Sequence, residues 1–115
     1  MHELSIIASL FEILLQKAVE QKALKITRVK LNVGKLSGVV PEALETVFEA
    51  YKKGTIAEAA VLEIEEPLLK VFCQDCGLEA LQDNYIFVCP ACGSPNLKIL
   101  QGTELFLEKI ELEIE

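Results

Sequence analysis

An α+β fold, two helices on a small three-stranded sheet with a four-cysteine module inserted before the last strand, is predicted by three features of the 115-residue sequence. A helical apolar period fills the first segment, strand-like patterns recur at three places, and the four cysteines fall in two close pairs ahead of the last strand. About half the residues (51%) are apolar, enough to bury a core, so a disordered chain is excluded.

The first segment, roughly Glu3 to Lys22, repeats Leu4, Ile7, Phe11, Leu14, Leu15 and Ala18 at helical spacing and holds no Gly or Pro, which predicts an amphipathic helix. Ile26 to Val33 alternates, with Val29, Leu31 and Val33 on one face and Arg28, Lys30 and Asn32 on the other: a half-buried strand. Gly34 to Val40 is a loop. Pro41 suits the first turn of a second helix running to about Lys53, with Gly54 ending it and Leu44, Val47, Phe48 and Tyr51 as its buried stripe. A second strand covers about Ala60 to Glu66, closed by Pro67. After Gly102, Ile110, Leu112 and Ile114 alternate with glutamates, whereas Leu105 and Leu107 lie in the opposite phase. That change of phase predicts a bulge near Glu108. The last strand has one evident place to go, back into the sheet of the first part. The expected division is therefore residues 1–69 plus 102–115 as one α/β domain and residues 70–101 as a second, inserted one.

Charge narrows the function. A net charge of −7 repels phosphate backbones, so Lys25, Arg28, Lys30 and Lys35 read as a solvated strand face and nucleic acid is not an expected partner. No run of about 18 apolar residues exists to span a membrane. Residues 4–15 look like the apolar stretch of a signal peptide, but only Glu3 and Glu12 bring charge to this region, and no basic segment precedes it. The expected location is the cytoplasm, where thiols stay reduced.

In that compartment the spacing C-x2-C-x12-C-x2-C of Cys73, Cys76, Cys89 and Cys92 reads as metal ligation and not as two disulfides. Each close pair wraps two thiolates around an ion, and two pairs make a closed tetrahedron. Gly77 and Gly93 follow the second cysteine of each pair, where a tight turn would crowd a side chain, and Pro90 stiffens the second turn. The residues between are polar (Gln74, Asp75, Ser94, Asn96), which speaks against four unligated core thiols. An insert under the ~40 residues that usually need outside help to fold would draw its stability from the ion. Zinc is the expected occupant. Iron is the rival, because Cys89-Pro-Ala-Cys92-Gly93 resembles a rubredoxin knuckle and four thiolates take either metal. A closed four-thiolate shell leaves no position for a substrate, so the site is structural.

His2 is the only histidine. A lone histidine ahead of a helix is ordinarily just a wet residue. Its position offers a sharper chemistry, however. Met1 should be retained, since removal of the initiator normally needs a small second residue. Its α-amine, the His2 amide nitrogen and the His2 imidazole can then close adjacent chelate rings on one ion, with Glu3 completing the set. Nitrogen-rich square-planar ligation suits Ni(II) or Cu(II) more than zinc. With the thiols committed, any further nitrogen- or sulfur-rich site must use residues 1–3 or borrow ligands from a partner. A sole histidine at the terminus also leaves no nucleophile and base pair, so the chain is not expected to be an enzyme.

The Met1-His2-Glu3-Leu4-Ser5 start, Asn32-Val33-Gly34, Val40-Pro41-Glu42-Ala43-Leu44 and the paired knuckles together resemble the HypA family of hydrogenase/urease nickel-incorporation proteins, over the whole chain and in order. The resemblance implies a nickel metallochaperone: an α+β nickel domain with a zinc-ribbon domain inserted before the last strand, His2 as principal nickel ligand, and Cys73, Cys76, Cys89 and Cys92 on zinc. It further implies a nickel-handling GTPase of the HypB type as partner and a hydrogenase large subunit as recipient; urease maturation factors and a second copy of the chain stand beside these as further candidate partners. Glu108, Glu111, Glu113 and Glu115 read as the wet face of a sheet and not as a nickel store.

Overall fold

The computed structural model describes residues 3–82 and 87–114. Helix α1 (Glu3–Glu20) buries Ile7, Leu10, Phe11, Leu14 and Ala18. Leu4 and Leu15, expected in that stripe, are 61% and 41% exposed, and Leu10 takes their place. The helix carries apolar residues around more of its circumference than the sheet beneath it covers. It ends with Lys22 in the left-handed region (φ 53°), its amide bonded back to the Val19 carbonyl at 3.2 Å.

Strand β1 (Ala23–Val33) begins earlier than its alternation suggested. Helix α2 (Pro41–Tyr51) starts on its proline without a side-chain cap and stops two residues earlier than expected, the Lys52 amide closing on the Phe48 carbonyl at 3.0 Å. Lys52 then stretches its ammonium to the Ala60 carbonyl (2.9 Å) and to Glu49 (2.8 Å), tying the helix end to the start of the following strand. Leu44 and Phe48 are fully buried, and Phe11 of α1 lies 5.5 Å from Phe48 and 4.9 Å from Tyr51, ring centre to ring centre. This aromatic trio joins the two helices.

Strand β2 (Val61–Glu65) runs parallel to β1, shorter by a residue at each end than expected because Ala60 is buried in the preceding turn and Glu66 leads into Pro67. Strands β3 (Leu69–Cys73), β4 (Glu79–Gln82) and β5 (Leu97–Gln101) form a separate antiparallel sheet in the order β4-β3-β5. Strand β6 (Leu105–Ile114) then returns to pair antiparallel with β1, giving the first sheet the order β2-β1-β6. The core lies between that sheet and the two helices.

Phase changes along the long strands have visible causes. Lys30 faces Lys109 while Leu31 faces Leu107, so Glu108 is the extra residue of a bulge. It switches the inward set of β6 from Leu105 and Leu107 to Ile110 and Leu112. On β1, Ile26 pairs with Leu112 and Arg28 with Glu111, leaving Thr27 extra, its hydroxyl donating to the Glu111 carbonyl at 3.2 Å. This second bulge puts both Ile26 and Val29 in the core.

Residues 66–68 and 102–104 connect the sheets. They are clamped by the Gln101 side-chain amide donating to the Leu68 carbonyl (2.7 Å), the Leu36 amide donating to Gly102 (2.7 Å) and the Gly34 amide donating to Glu104 (2.7 Å). A Cβ on Gly34 would collide with the Gly102 carbonyl, so these backbones approach where only glycine fits.

Candidate metal centre

Cys73 ends β3 and Cys76 lies in the turn that follows; Cys89 and Cys92 form a second turn before β5. The two turns share one hydrogen-bond pattern. The Cys73 amide donates to Leu78 and the Cys89 amide to Ser94, each five residues on and at 2.8 Å; the amides of Gly77 and Gly93 donate back to Cys73 and Cys89, also at 2.8 Å. Gly77 and Gly93 hold φ of 78° and 72°, but a Cβ on either would meet nothing within 4 Å. The expectation that a side chain would be crowded there is therefore corrected: backbone conformation selects glycine, not space.

The four sulfurs all lie within 4.8 Å of one another, Cys73 and Cys89 buried, Cys76 and Cys92 exposed. Sγ–Sγ is 3.6 Å both for Cys73 with Cys92 and for Cys76 with Cys89, far beyond a disulfide bond. A tetrahedron with metal–sulfur bonds of ~2.3 Å has sulfur–sulfur edges of about 3.8 Å, so the donor set fits one zinc ion with little adjustment. Backbone amides point at the sulfurs, as Ala91 does to Cys89 at 3.4 Å. The thiols also bias one another's ionisation. Cys89 is held down to about 6, first by the amide of Cys92. At Cys92 the Ser94 amide pulls downward, but Cys73, burial and the other thiols outweigh it and push the group up to about 12. Cys76 has the Leu78 amide lowering it and is nonetheless raised, by Cys73 and Cys89. The tetrad without an ion thus resists carrying four negative charges, and a bound cation must displace protons to bring them all on.

Three polar side chains surround the tetrad in a way the spacing did not reveal. The Ser94 hydroxyl donates to Asp75 Oδ2, the Asn96 side-chain amide to Asp75 Oδ1 (3.4 Å), and the Asn96 backbone amide to Ser94 Oγ (3.1 Å). Their presence as polar residues was legible; their pairing, 19 and 21 residues apart, was not.

Of the other expected metal ligands, Met1 and His2 lie outside the described residues, and Glu3 opens α1, half-buried in its first turn. The cations of β1 face glutamates: Lys25 with Glu113 (3.2 Å), Arg28 with Glu63 (3.5 Å) and Glu111 (3.4 Å), and Lys30 with Glu65 and Glu108 (both 3.0 Å). The strand face is a charge ladder in which each of these cations meets at least one carboxylate. Among the described residues no helix is long and apolar enough to cross a membrane.

Together the fold and the thiol tetrad define a small α+β metal-binding protein. The sequence model described as "Hydrogenase/urease nickel incorporation, metallochaperone, hypA" matches residues 1–112. The hydrogenase maturation factor HypA of Aquifex aeolicus is 43% identical over 115 residues, covering all of both chains, and that of Moorella thermoacetica 42% over 113 residues, covering 98% of this chain and all of that one. The solution structure of the nickel metallochaperone HypA from Helicobacter pylori aligns over the whole of both chains with a TM-score of 0.66 at 30% identity, and another HypA solution structure reaches 0.71 at 30% identity, covering all of this chain and 98% of that one. The chain belongs to the HypA family. It is a metallochaperone and maturation factor of nickel incorporation, not an enzyme.

Proposed function

We propose that this chain binds Ni(II) at its amino end and hands it to a nickel–iron hydrogenase during maturation, with urease as a second recipient, while one zinc ion on Cys73, Cys76, Cys89 and Cys92 serves structure alone. The observation that carries the reading is the tetrad itself: it gathers all four cysteines of the chain, so no thiol is left for the family's nickel cargo and the sole imidazole, His2, becomes its anchor. The His2 imidazole and amide are the principal ligands, the Met1 α-amine closes the chelate, and Glu3 adds a carboxylate. The amino end of a helix carries partial positive charge, unfavourable to a cation; Glu3 in that first turn offsets it.

The chain works as two domains in the cytoplasm, residues 1–69 plus 102–115 carrying nickel and residues 70–101 carrying zinc. A GTPase of the HypB type and the hydrogenase large subunit are its partners. They meet the outward face of α1, where Leu4, Ile13, Leu15 and Val19 are exposed beside a Gln16–Glu20 hydrogen bond. Substituting Gln16, Val19 or Glu20 should weaken GTPase binding and leave nickel affinity unchanged; equal binding across that face would move the interface elsewhere.

Metal analysis of the untagged chain followed by Ni(II) titration tests the assignment. One zinc per chain and one added nickel, the nickel lost and the zinc kept in His2→Ala, is the expected result. Nickel binding indifferent to His2→Ala contradicts it, and red iron–thiolate absorption in place of colourless zinc protein overturns the zinc half.

A further inference from the structure

The hydrogen bonds within each knuckle hold two cysteines together, but they do not hold one knuckle to the other. That second task is shared between the β3–β5 pairing, which sets Cys73 opposite Leu97 at the base of the knuckles, and a small set of groups beyond the strand ends and outside the tetrad. Asp75, between the cysteines of the first knuckle, accepts from Ser94 and Asn96, which follow the second. The Gln74 amide donates to the Asn96 carbonyl at 3.0 Å, so backbone as well as side chains bridge the two turns. Ser94 serves both sides at once: its carbonyl accepts from the Cys89 amide inside the second knuckle, while its hydroxyl oxygen accepts from the Asn96 amide and donates to Asp75. None of these groups is a sulfur, and none needs the ion to keep its partner.

We propose that Asp75, Ser94 and Asn96 form a metal-independent brace that keeps the two knuckles converged, and so sets how slowly the four-cysteine site gives up its ion. The inference rests on the zinc reading above. Loss of a four-thiolate ion begins when one thiolate lets go and takes up a proton. While the knuckles stay braced, the freed sulfur remains within reach and rebinds; once they part, two thiolates alone cannot retain the ion. Asp75, Ser94 and Asn96 are positioning residues: they touch the ligands' backbone turns, not the metal. Outer groups that orient ligands change metal affinity by roughly 10- to 100-fold in other sites.

The experiment takes the full chain loaded with zinc and follows transfer of the ion to an excess of a chromophoric chelator, in wild type, Asp75→Ala, Asp75→Asn and Ser94→Ala. Zinc content is measured first: a wild-type chain holding no zinc removes the underlying reading, not the brace specifically. With one zinc per chain in all four proteins, Asp75→Ala and Ser94→Ala should release it about 10-fold faster. Asp75→Asn, which can still accept from Asn96 and donate to the Ser94 oxygen, should restore most of the slow release. The helical far-UV signal, coming from α1 and α2, should be equal throughout. Wild-type release rates in Asp75→Ala and Ser94→Ala would overturn the brace. So would an Asp75→Asn variant as fast as Asp75→Ala, since the carboxylate's charge and not its hydrogen bonds would then be at work.

Discussion

Cys73 lies buried at the end of a strand and Cys92 on an exposed turn, yet their sulfurs are 3.6 Å apart. Replacing Cys73 with Ser should leave three thiolates, release zinc and expose the remaining cysteines to thiol reagents, while far-UV signal from the helices survives because their core uses no cysteine. Full zinc occupancy with unchanged thiol reactivity in Cys73→Ser would remove the four-cysteine site. Acid should empty the site in wild type, because thiolates that ligate must be deprotonated and protons compete with the ion for each sulfur. At this scale the clustering of the four cysteines was legible in advance because a metal site dictates both residue type and spacing. The brace was not, because hydrogen bonds between Asp75, Ser94 and Asn96 follow no period and depend on how the two turns meet. The role of Gly77 and Gly93 was half legible: glycine marked the turn, but only the backbone angles separate conformation from crowding.

Helices and strands were readable where one face is buried against one surface, since that alone imposes a period. The reading failed where a strand changes phase without an obvious signal, as at Thr27, and succeeded at Glu108, where Leu105 and Leu107 fall out of step with Ile110 and Leu112. The Leu4 and Leu15 misassignment has the opposite origin: apolar residues on the flanks of α1 keep the helical period but overhang the sheet. Two predictions belong here. Gly34→Ala pushes a methyl into the Gly102 carbonyl and should destabilise the fold by about 1–3 kcal/mol in chemical denaturation, with wild-type stability as the contrary result. The charge ladder should confer its own pH dependence. Lys30 hydrogen-bonds to Glu108 and Glu65, which raises the lysine above its ordinary value, and the same bond from Lys30 holds the Glu108 carboxyl below its usual range. A depressed carboxylate contributes fully above its unfolded value near ~4.3 and loses that contribution as pH falls through the native one; a raised lysine contributes fully below ~10.4 and loses it as pH rises further. Stability from the ladder should thus be flat between about pH 5 and 10 and decline on both sides. Glu108→Gln should shallow the acid decline in denaturant midpoints, and an identical acid slope would place that decline elsewhere.

The chain measures 56 × 24 × 17 Å with a radius of gyration of 17.8 Å, against about 13 Å for a compact body of this length. Two sheets joined by residues 66–68 and 102–104 account for the elongation, and they separate the thiol tetrad from the helices on the first sheet. Under the proposed assignment, one part would keep an ion permanently while the other exchanges one. Nickel and zinc binding should consequently respond to different substitutions. The most direct test is calorimetric Ni(II) titration of the native chain beside one acetylated at the Met1 α-amine. The acetyl group turns the α-amine into an ordinary amide without touching any side chain or any thiolate. Sharply weaker nickel binding in the acetylated chain, with zinc content and thermal stability unchanged and with binding weakening toward about pH 6 in the native one, is the expected result. Equal affinities in the two chains would contradict nickel capture by the amino terminus.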